Sequence, residues 1–255
     1  MTARPDRTGI EVDFDGTLAE IVPDPALAKP LPGATDVLFG LAASFAVTAI
    51  VSGRPVGFLV DRLGLGLSST PLEIFGEYGI EHRNNDGSVS LDPQATRYLD
   101  SVASALEQAR AAAPPGVVVE EKGISLTLNW RAVPQLAEAA QALAQRLAER
   151  HGLAIRTGKM ANELVPKVAR DKGSVVTALF AGLSAGCVVG DDTGDIPAFK
   201  AVTALADDGG FDAVRVVASS PEVPAELVEA ADLVVDGPKG ALEFLKELSR
   251  RARPR

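Results

Sequence analysis

Residues 9–17 read Gly-Ile-Glu-Val-Asp-Phe-Asp-Gly-Thr, and this stretch decides how the rest of the chain is interpreted. Its apolar run ends directly in Asp13 and Asp15, which predicts a strand with two carboxylates at its end. A helix-like segment, Ala34–Ala43, leads to a second apolar run, Ala46–Val51, which is followed at once by Ser52. The order strand, helix, strand indicates parallel pairing, so we expect the polar groups after both strands to meet at one edge of a sheet.

The alternation of strands and helices stops near residue 83 and resumes at Asp171. The block between predicts helices over Pro93–Ala113 and Val133–His151 and short strands over Val117–Glu121, Ile124–Trp130, Leu153–Thr157 and Asn162–Val165. Outside it we predict strands over Leu72–Gly76, Cys187–Gly190, Val202–Ala206, Val214–Ala218 and Leu233–Val235, and helices over Ser174–Ala181 and Leu242–Arg250. The predicted fold class is therefore α/β: a doubly wound, mostly parallel core of residues 1–82 and 167–255 with an inserted α+β domain of residues 83–166.

Composition and charge restrict the classes of partner. With 46% hydrophobic and 23% charged residues in 255, the chain has the balance of a folded protein. Its net charge of -9 argues against a nucleic acid or an anionic membrane as the partner. The single cysteine, Cys187, excludes an internal disulfide and is expected in the core. Since the sequence shows no apolar signal segment or membrane span, we expect an unanchored cytoplasmic protein, and a monomer.

The paired carboxylates indicate phosphoryl chemistry. One aspartate of Asp13 and Asp15 can attack a phosphate monoester while the other acts as acid and base. A second acidic group at a strand end, Asp191-Asp192-x-x-Asp195, can complete an oxygen-only site for Mg²⁺. Either group alone also fits a capped turn or a solvated acidic loop. Their occurrence together with Ser52 and with Lys172, at a predicted helix start, favours one catalytic site.

These residues resemble the four motifs of the haloacid dehalogenase superfamily, over nearly the whole chain. The motifs are Asp13-Phe14-Asp15-Gly16-Thr17-Leu18, Ser52-Gly53-Arg54, Lys172-Gly173 and Gly190-Asp191-Asp192-x-x-Asp195. The resemblance implies that Asp13 is the nucleophile and that Asp15 protonates the leaving alcohol and then activates water. It also implies Mg²⁺ held by Asp13, the main-chain oxygen of Asp15, and Asp191.

The same resemblance implies roles for the remaining motif residues. Ser52 and Lys172 would hold phosphoryl oxygens, and Thr17 would add a hydroxyl contact. Asp192 and Asp195 would orient metal-bound water or Lys172. The inserted domain would be a cap that closes over the substrate and excludes water.

Within that superfamily, further elements resemble the trehalose-6-phosphate phosphatases. They are Ser52-Gly53-Arg54, Gly76-x-x-Gly79-x-Glu81, the run from Glu121 to Leu126, Arg131, and Gly158-Lys159-x-x-x-Glu163-Leu164-x-Pro166. The resemblance implies that Glu163 grips glucosyl hydroxyls, with Lys122, Arg131, Arg54 and Glu81 as further substrate contacts. A sugar phosphate suits such pairs of carboxylates and cations.

Two departures from the family lie where the substrate is selected. This chain has Glu77 and Tyr78 where a small polar residue and a histidine are usual, and Asn129-Trp130-Arg131 where His-Tyr-Arg is common. Trp130 is interpreted as a packing residue. Hydrolysis of trehalose 6-phosphate is the first hypothesis, and hydrolysis of another sugar phosphate is the second. A weakly catalytic sugar-phosphate-binding protein and a phosphomutase are the remaining alternatives.

Overall fold

A computed structural model describes residues 3–66, 69–158, 160–221 and 223–252. The chain forms two compact units. The larger comprises the chain up to Ser90 together with the chain from Arg170 on, and the smaller comprises Leu91–Ala169. The sequence analysis places the boundaries after residues 82 and 166, which is eight and three residues earlier. The smaller unit is therefore inserted into the sequence of the larger one.

Strands and helices alternate along much of the larger unit, whereas the smaller unit has an antiparallel sheet. The strands are β1 Thr8–Val12, β2 Val47–Val51, β3 Leu72–Gly76, β4 Glu81–Arg83, β5 Val89–Leu91, β6 Val118–Glu121, β7 Leu126–Asn129, β8 Ala154–Gly158, β9 Ala161–Val165, β10 Ala185–Gly190, β11 Asp212–Ala218 and β12 Leu233–Val235. The helices are α1 Ala34–Ala42, α2 Val56–Leu63, α3 Pro93–Thr96, α4 Leu99–Ala112, α5 Ala137–His151, α6 Lys172–Leu179, α7 Ile196–Asp207, α8 Ala225–Ala230 and α9 Gly237–Ala252.

The larger unit contains an eight-stranded sheet in the order β12-β11-β10-β1-β2-β3-β4-β5. Neighbours from β12 to β3 pair in parallel, and β4 pairs antiparallel with β3. Strands in such a sheet are buried on both faces, because helices cover each side. Every residue of β1 is accordingly buried. The predicted α/β fold with a mostly parallel sheet is confirmed.

Side chains of the central strands alternate between two apolar clusters. On β10, Cys187 and Val189 pack with Ile10 and α9, whereas Val188 packs with Phe180 and α7 on the other face. This is the period of two that a strand imposes. Cys187 is a fully buried free thiol, as expected from its place in the sequence. The two clusters hold the sheet rigid beneath the ends of its strands.

The smaller unit is a four-stranded antiparallel sheet in the order β6-β7-β9-β8, with α4 and α5 packed on it. Its core includes Leu126, Leu128, Trp130 and Leu164 of the sheet and Val102, Leu106, Leu143 and Leu147 of the helices. Trp130 is buried in this core, so its packing role is confirmed.

One predicted element was wrong, and another is divided. Val202–Ala206 is not a strand but the second half of α7. The buried residues of that helix, Ala198, Phe199 and Val202, recur at helical spacing, and Pro197 suits its first turn. The predicted helix Pro93–Ala113 is divided into α3 and α4. It breaks because the Tyr98 N–H bonds to the Ala95 carbonyl three residues back, which ends the first helix in a tight turn.

The remaining helices differ from the prediction at their ends. Helix α5 begins at Ala137, after a 3-10 turn at Pro134–Leu136. Helix α6 begins at Lys172, because Asp171 and Ser174 form a capping box around its first turn. Among the described residues, no helix combines the length and the apolar composition that a membrane crossing needs.

Candidate active site

Three neighbouring strands bring the predicted catalytic residues to one edge of the larger unit. Asp13 follows β1, Ser52 follows β2 and Asp191 follows β10. These strands lie side by side and run in parallel, so their carboxyl ends meet. The carboxyl edge is where open α/β sheets bind ligands. The geometry expected from the order of elements is present.

Lys172 is the central cation of this edge. Its side chain is only 2% exposed, and its Nζ lies 2.5 Å from Asp13 Oδ1 and 2.6 Å from Asp195 Oδ1. Burial by itself lowers the pKa of Lys172, but the charges of Asp13 and Asp195 outweigh it and hold that pKa well above its ordinary value. The ammonium therefore stays charged and fixes the carboxylate of Asp13 in one orientation.

Asp195 organises the loop after β10. Its Oδ2 accepts hydrogen bonds from the backbone N–H groups of Asp191 at 2.8 Å and Asp192 at 3.1 Å, while Oδ1 accepts from Lys172. A Cβ at Gly190 would lie 2.2 Å from Cγ of Asp195, so this turn requires glycine. With both oxygens used within the protein, Asp195 is suited to orienting Lys172.

A compact acidic cluster surrounds this point. Asp13, Asp191 and Asp195 each offer a carboxylate oxygen, and these oxygens lie within 4.8 Å of one another. Thr17 Oγ1 donates to Asp191 Oδ1 at 3.2 Å. A side chain at Gly16 would collide with Asp191, since its Cβ would lie 2.0 Å from Oδ2. Oxygen ligands of this kind suit Mg²⁺, and Asp13 and Asp191 have oxygens to spare for it.

The electrostatics of the cluster favour a bound cation. Burial raises the pKa of Asp191 to about 8, and the charges of Asp195 and Asp192 add to the effect. Burial also raises the pKa of Asp13, against the opposing charge of Lys172. A divalent cation would favour the ionised forms of both carboxylates. Asp192 is exposed, and its Oδ1 accepts from the backbone N–H of Gly194 at 2.7 Å.

Asp15 and Arg54 form a two-point ion pair. Arg54 Nε lies 2.6 Å from Asp15 Oδ2, and Nη2 lies 2.8 Å from Oδ1. The Arg54 backbone N–H donates to Ser52 Oγ at 3.2 Å, and the guanidinium lies 4.5 Å above the Phe58 ring. The pair thus links the loops after β1 and β2.

Glu81 is placed at the start of a helix. Its Oε2 accepts a hydrogen bond of 2.6 Å from the backbone N–H of Val56, the first residue of α2. Burial raises the pKa of Glu81, and this hydrogen bond opposes the rise. The observed contact stabilises the helix end. A direct contact of Glu81 with substrate stays a prediction.

The smaller unit has a polar cluster of its own around Glu163 on β9. Its Oε1 accepts hydrogen bonds from Lys122 Nζ at 2.8 Å and Ser125 Oγ at 3.1 Å, and its Oε2 accepts from Arg156 Nη1 at 3.2 Å. Burial raises the pKa of Glu163, but the charges of Lys122 and Arg156 and the hydrogen bonds from Lys122 and Ser125 outweigh it and lower that pKa. Glu163 is therefore a buried, ionised acceptor.

The cluster includes two residues that the sequence analysis did not single out as site residues, Ser125 and Arg156. Arg156 lies directly opposite Glu163 in the β8–β9 hairpin. Counting outward from the turn after Gly158 would have revealed this pairing. Arg131 is exposed, and its backbone N–H donates to Asn129 Oδ1. Lys159, part of the same sequence motif as Glu163, lies outside the described residues.

The fold and the acidic strand ends together define the class of protein. The structure matches a haloacid dehalogenase-like hydrolase from Bacteroides thetaiotaomicron with a TM-score of 0.62 and 14% identity, covering 94% of this chain and 99% of that chain. The chain has the fold of the haloacid dehalogenase superfamily. The sequence model of the trehalose-phosphatase family matches residues 11–229. The chain belongs to the trehalose-phosphatase family.

Individual relatives agree with this assignment. The chain is 33% identical over 265 residues to a trehalose-phosphate phosphatase of Mycobacterium leprae, covering 98% of this chain and 59% of the relative. The C-terminal domain of the C. albicans trehalose-6-phosphate phosphatase superposes with a TM-score of 0.77 at 21% identity, covering 98% of this chain and 94% of that domain. The chain thus spans about three fifths of the length of the curated relative.

Proposed function

We propose that this protein is a Mg²⁺-dependent phosphatase that hydrolyses trehalose 6-phosphate to trehalose and phosphate. The observation that carries the proposal is the buried contact of Lys172 Nζ with Asp13 Oδ1, beside the carboxylates of Asp191 and Asp195. A fixed carboxylate next to a buried cation is arranged to attack an electrophilic phosphorus. Membership of the trehalose-phosphatase family supports the substrate.

The reaction proceeds in two displacements at phosphorus. An oxygen of Asp13 attacks the phosphoryl group, the ester P–O bond breaks, and Asp15 gives its proton to the departing sugar oxygen. Asp15 then removes a proton from water, whose oxygen attacks phosphorus and breaks the aspartyl-phosphate bond. Phosphate leaves and Asp13 is regenerated. Asp15 thereby recovers its proton, so the cycle is balanced.

The other residues at this edge of the sheet bind the phosphoryl group and orient the catalytic side chains. Ser52 and Lys172 hold phosphoryl oxygens, with Thr17 as an additional hydroxyl, while Asp195 keeps Lys172 in place. Mg²⁺ would be held by Asp13, the main-chain oxygen of Asp15, and Asp191, and when bound it would supply Lewis-acid stabilisation of phosphoryl charge. Asp192 belongs to the same acidic loop and would help to orient the groups that bind at this metal site.

The sugar contacts are proposed from the family resemblance. Glu163 accepts from glucosyl hydroxyls, and its ionised state, maintained by Lys122 and Arg156, makes it a strong acceptor. Arg131 and Arg54 are further proposed contacts. The observations that favour a different sugar phosphate are Tyr78 and Asn129, which depart from the family pattern.

Release of phosphate tests the proposal. With Mg²⁺ present, wild type is assayed on trehalose 6-phosphate, glucose 6-phosphate, other sugar phosphates and p-nitrophenyl phosphate. The blank is Asp13→Asn, and the matched control is Asp208→Asn, because Asp208 is an exposed aspartate at the end of α7. We expect a strong preference for trehalose 6-phosphate that Asp13→Asn abolishes and Asp208→Asn retains.

The alternatives give different results in the same assay. Preference for another ester keeps the mechanism and changes the substrate, and an isomeric sugar phosphate as product identifies a mutase. Binding of a sugar phosphate without turnover supports the weakly catalytic sugar-phosphate-binding protein. Glu163→Gln should weaken trehalose 6-phosphate turnover far more than p-nitrophenyl phosphate turnover. Equal losses on both would assign Glu163 to structure.

A further inference from the structure

The bend between β3 and β4 has an unusual backbone. Glu77 and Tyr78 are consecutive non-glycine residues with positive φ, 49° and 59°. Side chains with a Cβ rarely adopt this region, and a residue held there is strained. Two hydrogen bonds fix the bend to the loop after β2: the Glu77 N–H donates to the Arg54 carbonyl at 3.0 Å, and the Tyr78 N–H donates to the Ser52 carbonyl at 2.9 Å.

This backbone directs the Tyr78 ring between two glycines. A Cβ on Gly53 would lie 2.6 Å from both Cζ and the phenol oxygen of Tyr78. A Cβ on Gly194 would lie 3.1 Å from Cε1, on the other edge of the same ring. Real Cβ atoms essentially never approach within the first of these distances. The ring therefore occupies the space between the two loops and rests on backbone at both sides.

Each glycine lies within a loop of the candidate active site. Gly53 is between Ser52 and Arg54, and Gly194 is between Asp192 and Asp195. The ring thus separates the loop that carries the phosphoryl-binding hydroxyl from the loop that carries the acidic cluster. The strain in the bend is explained if this placement is needed, since strained residues persist where the surrounding structure holds them for function.

We propose that Tyr78 is a positioning residue that fixes the spacing between the Ser52–Arg54 loop and the Asp191–Asp195 loop. The inference rests on the proposed function and adds a residue to it. The ring carries this role, because ring carbons lie near the Cβ position of both glycines, while the phenol oxygen is also near that of Gly53. Phosphoryl transfer depends on such spacing, as a misplacement of about 1 Å can cost on the order of 100-fold in rate.

Two variants at this position separate ring from hydroxyl. Tyr78→Phe keeps the ring, and Tyr78→Ala removes it. We expect Tyr78→Ala to lower kcat by about 10- to 100-fold, by the same factor on trehalose 6-phosphate and on p-nitrophenyl phosphate, and Tyr78→Phe to stay within about threefold of wild type. The dissociation constant of inorganic phosphate with Mg²⁺, measured by calorimetry, should rise about tenfold or more in Tyr78→Ala only.

A double-mutant cycle with Gly53 tests the contact itself. Gly53→Ala adds a methyl group that meets the ring, so we expect it to lower kcat. In Gly53→Ala/Tyr78→Ala the methyl group has space, and the added loss from Gly53→Ala should largely disappear. Such non-additivity is expected when ring and glycine are in contact, and additive losses are expected when they act independently. Thermal unfolding of each variant identifies any that fails to fold. If Tyr78→Ala does not fold, the activities of Tyr78→Phe and Gly53→Ala test the positioning role.

Several outcomes would overturn the inference. Full activity and phosphate binding in Tyr78→Ala would remove the positioning role, as would additive losses in the cycle. Equal losses in Tyr78→Phe and Tyr78→Ala would assign the role to the hydroxyl. A loss on trehalose 6-phosphate alone would make Tyr78 a sugar contact. If wild type binds phosphate but hydrolyses no ester, the proposed function fails, and the phosphate dissociation constants still test the positioning role of Tyr78. If wild type binds no phosphate, the proposed function and the positioning role both fail.

Discussion

Glu11 is the fourth of the five residues of β1, lies two residues before Asp13, and is completely buried. Within the part of the chain that the structure describes, neither of its carboxyl oxygens has a hydrogen-bond partner. Burial raises its pKa to about 8, while the charge of Lys172 opposes the rise. A buried acid without hydrogen bonds favours its neutral form, because the ionised form loses its hydration.

This shift makes stability depend on pH. The raised pKa means that the contribution of Glu11 is fully present below its ordinary value of 4.5 and is lost as pH rises towards 8. The loss is at most about 1.4 kcal/mol per pH unit between those values. Glu11→Gln, which has no proton to lose in this range, should show a free energy of unfolding in urea that depends less on pH from 5 to 8. The control is Glu107→Gln, an exposed residue of α4; if the wild-type and Glu11→Gln profiles ran parallel, burial of the charge would not govern this group.

For single residues, the sequence indicates where a side chain lies in the fold better than it indicates which partner that side chain contacts. Motif order places Asp13 and Lys172 near one sheet edge, and the structure brings them into contact. The order of the motifs does not reveal that Arg54 pairs with Asp15. A cation that follows a strand has several acidic residues within reach of its long side chain, and the sequence does not say which one it contacts. Arg156 was missed for a related reason: its pairing with Glu163 follows from hairpin register and not from residue type.

The N-terminus of α2 shows how one element depends on another. The residue before this helix is Pro55, which provides no side-chain cap, so a backbone N–H at the helix start needs an acceptor from elsewhere. Glu81 on β4 supplies it through Oε2. The carboxylate also interacts favourably with the positive end of the helix dipole.

Removal of this acceptor should destabilise the protein. Glu81→Ala is expected to lower the free energy of unfolding in urea by about 1–3 kcal/mol, because a buried N–H loses its partner. Glu81→Gln retains an oxygen acceptor and should lose less. The substrate-contact role predicts another pattern, with unchanged unfolding and a raised KM for the sugar phosphate but not for p-nitrophenyl phosphate.

Strands and helices were predictable where the spacing of their apolar residues was clear. The strands beside the site, β1, β2 and β10, were located to within a residue or two, because apolar runs end there in polar motifs. The segment Val202–Ala206 was misread because a mostly apolar run of five residues fits a strand as well as a buried helix. The longer run from Ile196 onward contains the helical period that distinguishes the two.

The charge of the whole molecule supports a test of metal binding. With a net charge of -9 and a buried acidic cluster, the folded protein should gain stability from Mg²⁺, which the unfolded chain binds poorly. At a concentration 100 times the dissociation constant, the gain is about 2.7 kcal/mol. We expect Mg²⁺ to raise the midpoint of thermal unfolding of wild type and EDTA to reverse the rise. Asp191→Asn should lose most of the effect; an equal rise in that variant would place the ion elsewhere.

The insertion of the smaller unit affects the order in which the protein can be completed on the ribosome. Strand β1 ends at Val12, but its partner β10 begins only at Ala185. At about 5–20 residues per second, the roughly 170 intervening residues take on the order of 10 to 30 s to synthesise. During that interval β1 has β2 on one side and an open edge on the other, which is the kind of edge that recruits foreign strands. The smaller unit is contiguous in sequence, so translation supplies all of it before the catalytic sheet can close.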